Sequence, residues 1–146
     1  MEITVTGFVN GGVIPQKFTC DGDDISPKIM IDGVPSAAKS LVLIMDDPDA
    51  PGGLFTHWIA YDIPPDTKLI EQGAGNGRAF KSCINDFGKH GYGGSCPPPG
   101  KPHRYNFTLY ALDTERLDAG NGRDGIDSAM QGRIIEEAVY SGIYGR

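Results

Sequence analysis

Apolar and polar positions alternate with a period of two in short runs along most of the chain, and that period predicts strands. Glu2–Val9 alternates and reads as a first strand, and Gln16–Cys20 as a short extended piece. The stretch SPKIMIDGVP carries another strand between Pro27 and the turn DGVP. Ser40–Met45 is apolar on both faces, so it is placed centrally, buried on both sides. FTHWIAYDIP follows as a strand stopped by Pro64 and Pro65. Alternation there puts His57, Ile59 and Tyr61 on one face and Trp58, Ala60 and Asp62 on the other. Lys68–Gly100 shows little periodicity, apart from a short strand near Ala79–Ile84. Arg104–Leu112 alternates cleanly, with His103, Tyr105, Phe107 and Leu109 on one face and Arg104, Asn106, Thr108 and Tyr110 on the other. Near the C-terminus, Ile126, Met130, Ile134 and Ala138 recur every four residues, flanked by Ile135 and Val139. That spacing predicts an amphipathic helix, capped around Asp124–Ser128 and ended by Gly142.

Glycine (21) and proline (11) are abundant in these 146 residues, and they punctuate the apolar runs instead of forming a tract. The pattern fits one mainly β domain with many turns. No apolar stretch reads as a membrane span or signal segment, so a cytoplasmic protein without stable membrane association is expected. The formal charge of −6, with no block of Lys or Arg, argues against a nucleic-acid surface. Three separated cysteines, Cys20, Cys83 and Cys96, fit neither a disulfide framework nor a zinc site. One disulfide remains open, and spacing alone does not say which pair forms it.

Three places carry candidate chemistry. DDPDAPGG (Asp46–Gly53) crowds three carboxylates just past the buried run, with no cation nearby in sequence. Taken alone it reads as an Asx-type turn, yet such carboxylates repel and need partners. His57 alone reads as a satisfied, half-buried histidine. The stretch YGGSCPPPGKPHRY places a stiff loop ahead of His103 and Tyr105, or else forms a simple crossover with a surface histidine. Were these strands neighbours in one sheet, Asp47, Asp49, His57, His103 and Tyr105 would converge at one edge. The third histidine, His90, belongs on the loop surface, or on the rim with Tyr92.

DPDAPGG with FTHWIAYDIP, followed by NDFGKHGYGGSCPPPGKPHRYNFTLYALD, resembles the two signature regions of the phosphatidylethanolamine-binding protein family in its short microbial form. IPQKFTCDGDDISPKI and GVPSAAKSLVLIMDDPDAP extend the likeness through the N-terminal half. The resemblance implies an antiparallel β-sandwich of one larger and one smaller sheet, with a short C-terminal helix. It implies a small anion-binding pocket lined by Asp47, Ala50, Pro51, Phe55, His57, Gly94, Pro97, Pro98, His103 and Tyr105. It also implies kinase or serine-protease inhibition as an alternative role, and pairing as a homodimer. Two departures stand out. Ser95 takes a place that is often proline in microbial members, and the longer C-terminal extension of eukaryotic members has no counterpart, so no lid role is expected.

No Lys or Arg falls on the motif positions of this pocket. An anion would then be held by histidine N–H groups, the Tyr105 hydroxyl and loop amides. The histidines could add charge, given a reference pKa near ~6.5. Asp47 would orient a histidine and select zwitterionic or protonated ligands. Arg104, on the opposite face, would pair with a carboxylate and hold the loops. A two-histidine-one-carboxylate metal site is the competing chemistry, and a hydrolase would need a nucleophile where no G-x-S-x-G appears. Cys96 would need a lowered pKa to serve. The expectation is therefore a non-catalytic binding protein for a small anionic or phosphorylated ligand, with no cofactor. The inhibitor alternative would use the Lys68–Gly88 stretch as its loop.

Overall fold

The computed structural model describes residues 1–146. Its strands are β1 (Glu2–Val5), β2 (Ile29–Asp32), β3 (Ser40–Asp47), β4 (Phe55–Ile63), β5 (Leu69–Ile70), β6 (Lys81–Ser82), β7 (His103–Leu112) and β8 (Ile134–Tyr144). One helix, α1 (Arg123–Met130), lies between β7 and β8. The smaller sheet has the order β1-β2-β5 and the larger β6-β4-β3-β7-β8. Every pairing is antiparallel. The expected mainly β architecture, with a larger and a smaller sheet, is the one found.

β3 is central because both of its faces are apolar. Leu41, Leu43 and Met45 join the core between the sheets, with Ile3, Val5, Ile29, Ile31, Trp58, Phe107 and Leu109. Val42 and Ile44 face the other way, into a second core with Ile59, Leu112, Ile126 and Met130. α1 thus covers the back of the large sheet, so an antiparallel strand is buried on both sides. Burying this much apolar surface is the main favourable contribution to the fold.

Four local expectations need correction. The first strand stops at Val5, before Gly7, which takes φ +110°. Gln16–Phe18 is a 3₁₀ turn, not an extended piece. The short strand near Ala79–Ile84 shrinks to Lys81–Ser82. Most important, the helix ends at Met130, and Ile134–Tyr144 forms β8 along the whole of β7. The four-residue spacing misled because four is also twice the strand period. An unbroken strand would put Ile134 and Ala138 on one face, as a helix does; here a bulge at Ile135 sets Ile134 opposite Leu112 and Ala138 opposite Leu109, on different faces of the sheet. Gly132, at φ +78°, turns the chain. The β-branched and aromatic residues after it, Ile134, Ile135, Val139, Tyr140 and Tyr144, favour the pleated state. Gly142 does not cap a helix. It pairs with Tyr105 in the sheet, and a Cβ there would lie 2.6 Å from both Ile14 and Phe8.

Candidate functional site

The ends of three neighbouring strands meet at one edge of the large sheet. β3 delivers Asp47 at its end, β4 delivers Phe55 and His57 at its start, and β7 opens with His103 and Tyr105. A cavity of about 160 Å³ sits among them. It is lined by Asp47, Ala50, Pro51, Phe55, His57, Phe87, Cys96, Pro97, Pro98, His103 and Tyr105. That volume suits one small polar group and falls below the ~300 Å³ at which drug-sized pockets begin.

A β-bulge puts His57 there. Met45 pairs with Trp58 and Asp46 with Thr56, so two residues of β3 face three of β4 and His57 is the extra one. Strict alternation would turn His57 towards Ile59 and the helix side. Instead, Trp58 enters the core between the sheets and its neighbour His57 still reaches the cavity. The expected shared face of His57, Ile59 and Tyr61 is therefore wrong at His57. A second register shift lies between Leu41 and Leu43, opposite a stretch of β4 that includes Asp62 at φ +52°.

The three crowded carboxylates go to three different partners. Asp47 Oδ2 accepts from His103 Nδ1 at 2.7 Å, and Asp47 Oδ1 accepts from the Asp49 amide at 2.8 Å. Asp49 Oδ2 accepts from the Arg104 amide at 2.9 Å. It is thus the backbone N–H of Arg104, not its guanidinium, that ties the loops together. Asp46 points to the opposite face, where it pairs with Arg123 of α1 and accepts from the Thr56 hydroxyl. Burial pushes the Asp46 carboxyl up, and Arg123 opposes that rise.

The two histidines have defined tautomers. His103 donates through Nδ1 to Asp47, which directs Nε2 away from that bond. His57 donates through Nδ1 to the Gly93 carbonyl at 2.7 Å. Its Nε2 is then an acceptor in the neutral ring. Burial lowers the His57 pKa, and the Gly93 carbonyl and the Asp47 charge only partly offset this. His57 therefore does not bring the standing positive charge expected of it. Tyr105 is fully buried, and its hydroxyl has no hydrogen-bond partner. Burial, followed by the nearby Asp47 charge, raises its pKa. The Ser95 hydroxyl, buried and also without a hydrogen-bond partner, lies close enough to Tyr105 to oppose that rise.

Aromatic rings build the mouth. Phe55 and Phe87 meet edge to face at 4.8 Å, Phe87 and His57 at 5.2 Å, and His57 and Tyr105 at 5.3 Å. Phe87 stays 46 % exposed, so it presents an apolar face at the entrance. It was missed as a site residue. Its only signal was an aromatic in the Gly-rich segment NDFGKHGYGG. Cys96, expected near the pocket but not among its lining residues, does line it, and it is no free thiol, because it is bonded to Cys20.

Of the expected lining residues, only Gly94 stays outside the cavity. Its amide donates to Asp24 Oδ1 at 2.8 Å, and a Cβ there would fall 2.3 Å from both Asp24 Oδ1 and the Phe18 carbonyl. Gly94 is present because two loops touch at that point. His90 lies on the surface against Ser82, whereas Tyr92 is buried and donates to the Phe18 carbonyl, so neither forms the rim. No group of three or more His, Cys, Asp or Glu converges in a manner that could hold a metal ion. No helix is long and apolar enough to cross a membrane.

Comparison with known proteins gives a consistent picture. A UPF0098 protein of Aquifex aeolicus is 48 % identical, over all of this chain and 89 % of that protein. The UPF0098 protein YbhB of Escherichia coli is 45 % identical, over 86 % of each chain. Among solved structures, Escherichia coli YbcL, described as a member of the mammalian PEBP family, superposes with a TM-score of 0.92 at 29 % identity, covering 99 % of this chain and 98 % of that one. CT736 of Chlamydia trachomatis, described as a putative phosphatidylethanolamine-binding protein homologue, gives 0.91 at 38 %, covering 99 % and 97 %. The family model for phosphatidylethanolamine-binding protein matches residues 4–145. With its two antiparallel sheets and its D-P-D-A-P and H-R-Y signatures at one sheet edge, this chain belongs to the phosphatidylethanolamine-binding protein family.

Proposed function

We propose that the cavity binds a small anionic or phosphorylated group, of the phosphoethanolamine type, and holds it without transforming it. The observation that carries this reading is the Tyr105 hydroxyl, buried in the cavity wall without a partner. A buried hydroxyl left unpaired costs about 1–3 kcal/mol, so it persists where something completes it. The Tyr105 O–H and the His103 ring are the polar groups offered to the ligand, and the neutral His57 Nε2 accepts a proton that the ligand brings. Phe55 and Phe87 cover the carbon atoms next to the anionic head. Each oxygen of Asp47 already accepts one hydrogen bond. Each oxygen keeps a second acceptor site, so Asp47 orients His103 and can also meet an ammonium group on the ligand. The family's description as phosphatidylethanolamine-binding supports this ligand class.

The inhibitor reading receives less support. The Lys68–Gly88 stretch does not project as a rigid loop. β5 and β6 pair with the two sheets, and Gly75 packs on Trp58 and Tyr92. The test is a titration with O-phosphorylethanolamine and inorganic phosphate, followed through the histidine ring protons. Saturable shifts at His57 and His103, with His90 silent, support the reading. No shift at millimolar ligand overturns it.

A further inference from the structure

We propose that the Cys20–Cys96 disulfide is a redox-controlled clamp on this cavity: oxidised, it holds the wall in binding shape; reduced, it frees the wall and weakens binding. The inference rests on the reading of the cavity as a binding site. Its basis is the construction of the wall. Cys96, Pro97 and Pro98 line the cavity, and the segment from Ser95 to Pro102 belongs to no strand. Prolines 97, 98 and 99 carry no N–H, so no ladder of backbone hydrogen bonds can lace this segment to a neighbour. A covalent link stands where those bonds are missing. It spans 76 residues of chain and joins the wall to the turn that follows Phe18.

The other ties of the wall run to the same turn or to the C-terminal residue. The Cys20 amide donates to the Ser95 carbonyl at 3.1 Å, and Gly94 to Asp24 at 2.8 Å. Arg146 donates from Nε to the Pro97 carbonyl at 2.8 Å and from Nη1 to Asp21 at 3.1 Å. Removing the disulfide leaves these polar ties and the bond from the Gly100 amide to the Arg146 carbonyl at 3.1 Å. Cys20 is exposed and Cys96 half-buried, so a reductant can reach the bond without unfolding the protein. Cys83 is buried in the second core and takes no part.

The chemistry is ordinary thiol–disulfide exchange with a dithiol reductant. One thiolate of the dithiol attacks the Cys20 sulfur and forms a mixed disulfide. The Cys20–Cys96 bond breaks, and Cys96 leaves as a thiolate beside the cavity and takes up a proton. The second thiol of the dithiol then displaces Cys20. The dithiol becomes a disulfide, and two electrons and two protons end on Cys20 and Cys96. The freed wall must then be ordered by the ligand, a cost that the oxidised protein has already met.

The experiment compares oxidised protein, protein reduced with dithiothreitol, and the Cys20→Ser/Cys96→Ser variant, with O-phosphorylethanolamine as probe. Thiol counting after denaturation fixes the state, one thiol when oxidised and three when reduced. Reduction is expected to weaken binding by about tenfold, reversibly, and the double variant to bind as weakly as reduced protein under either condition. By reciprocity, saturating ligand lowers the midpoint potential of the disulfide by about 30 mV for that tenfold factor. Equal affinity of the oxidised and fully reduced forms, within twofold, overturns the clamp. Were the oxidised protein itself not to bind the probe, the ligand reading would fail. Amide exchange at Cys20, Gly94 and Gly100 then decides the clamp separately. Faster exchange on reduction supports it, and unchanged exchange refutes it.

Discussion

His103 Nδ1 lies 2.7 Å from Asp47 Oδ2, a bond between residues 56 apart in sequence that joins the two signature regions. Both side chains are almost fully buried, at 10 % and 5 % exposure. The bond sets which nitrogen of His103 faces the ligand. Asp47→Asn keeps the shape but offers an amide in place of an acceptor-only group. By analogy with other residues that orient a binding histidine, affinity for phosphate and O-phosphorylethanolamine should fall about tenfold or more. Both constants are read by calorimetry. If neither moves, Asp47 does not work through His103.

Tyr105→Phe should move stability and binding in opposite directions. The substitution removes a buried hydroxyl that has no partner in the protein. Ligand-free stability should stay level or rise by up to about 1 kcal/mol, since an unsatisfied group is lost. Ligand affinity should fall by about fivefold to tenfold, the value of one hydrogen bond. Urea denaturation and ligand titration on the same protein check both. A variant that is less stable and binds equally well would show that the hydroxyl serves the fold instead.

His57 gives a pH dependence with a definite sign. Burial places its folded pKa below the unfolded value near ~6.5. Its contribution to stability is therefore complete above about pH 6.5 and declines as pH falls from there towards the folded pKa. The unfolded state binds the proton first. Denaturant midpoints measured from about pH 8 to pH 5 should fall through this window, and His57→Gln should flatten that part of the curve. Phosphate binding should respond oppositely. A neutral His57 Nε2 needs a proton from the ligand, so affinity for O-phosphorylethanolamine should rise as the pH is lowered from about 8 towards the phosphomonoester pKa near ~6. Affinity independent of pH over that range contradicts a neutral His57 at the ligand.

Gly94→Ala tests the support beneath the cavity. Its Cβ would meet the Phe18 carbonyl and Asp24 Oδ1 at 2.3 Å, and the carbonyl is backbone that cannot swing away. A loss of about 2 kcal/mol is expected, read as a lower thermal midpoint. Ligand affinity should weaken as well, because the proline wall shifts with it. An alanine variant of unchanged stability would mean that the two loops are not held in contact.

The local elements were legible where one physical signal dominates. Ser40–Met45 announced a doubly buried strand because both faces are apolar, and the alternation after Pro102 placed His103 and Tyr105 together on the inward face of β7. Signature residues far apart in sequence met as the resemblance implied. Asp47, Phe55, His57, Pro97, Pro98, His103 and Tyr105 all line one cavity. What failed was whatever depends on counting along the chain without knowing the partner strand. The four-residue spacing of Ile134 and Ala138 fits helix and strand alike, and only pairing with β7 decides between them.

The sequence by itself thus determined the β architecture, the buried centre and the chemical inventory of the site, because periodicity, proline and glycine act locally. Tertiary structure decided the rest. The bulge that turns His57 into the cavity exists only through the register of β3 against β4. Arg123, 77 residues away, takes up Asp46 and leaves Asp47 to His103. Cys20 could have remained a thiol; it meets Cys96 because the turn after Phe18 folds onto the proline wall. Each of these is a contact between distant segments, whose formation depends on three-dimensional packing and leaves no periodic mark along the chain.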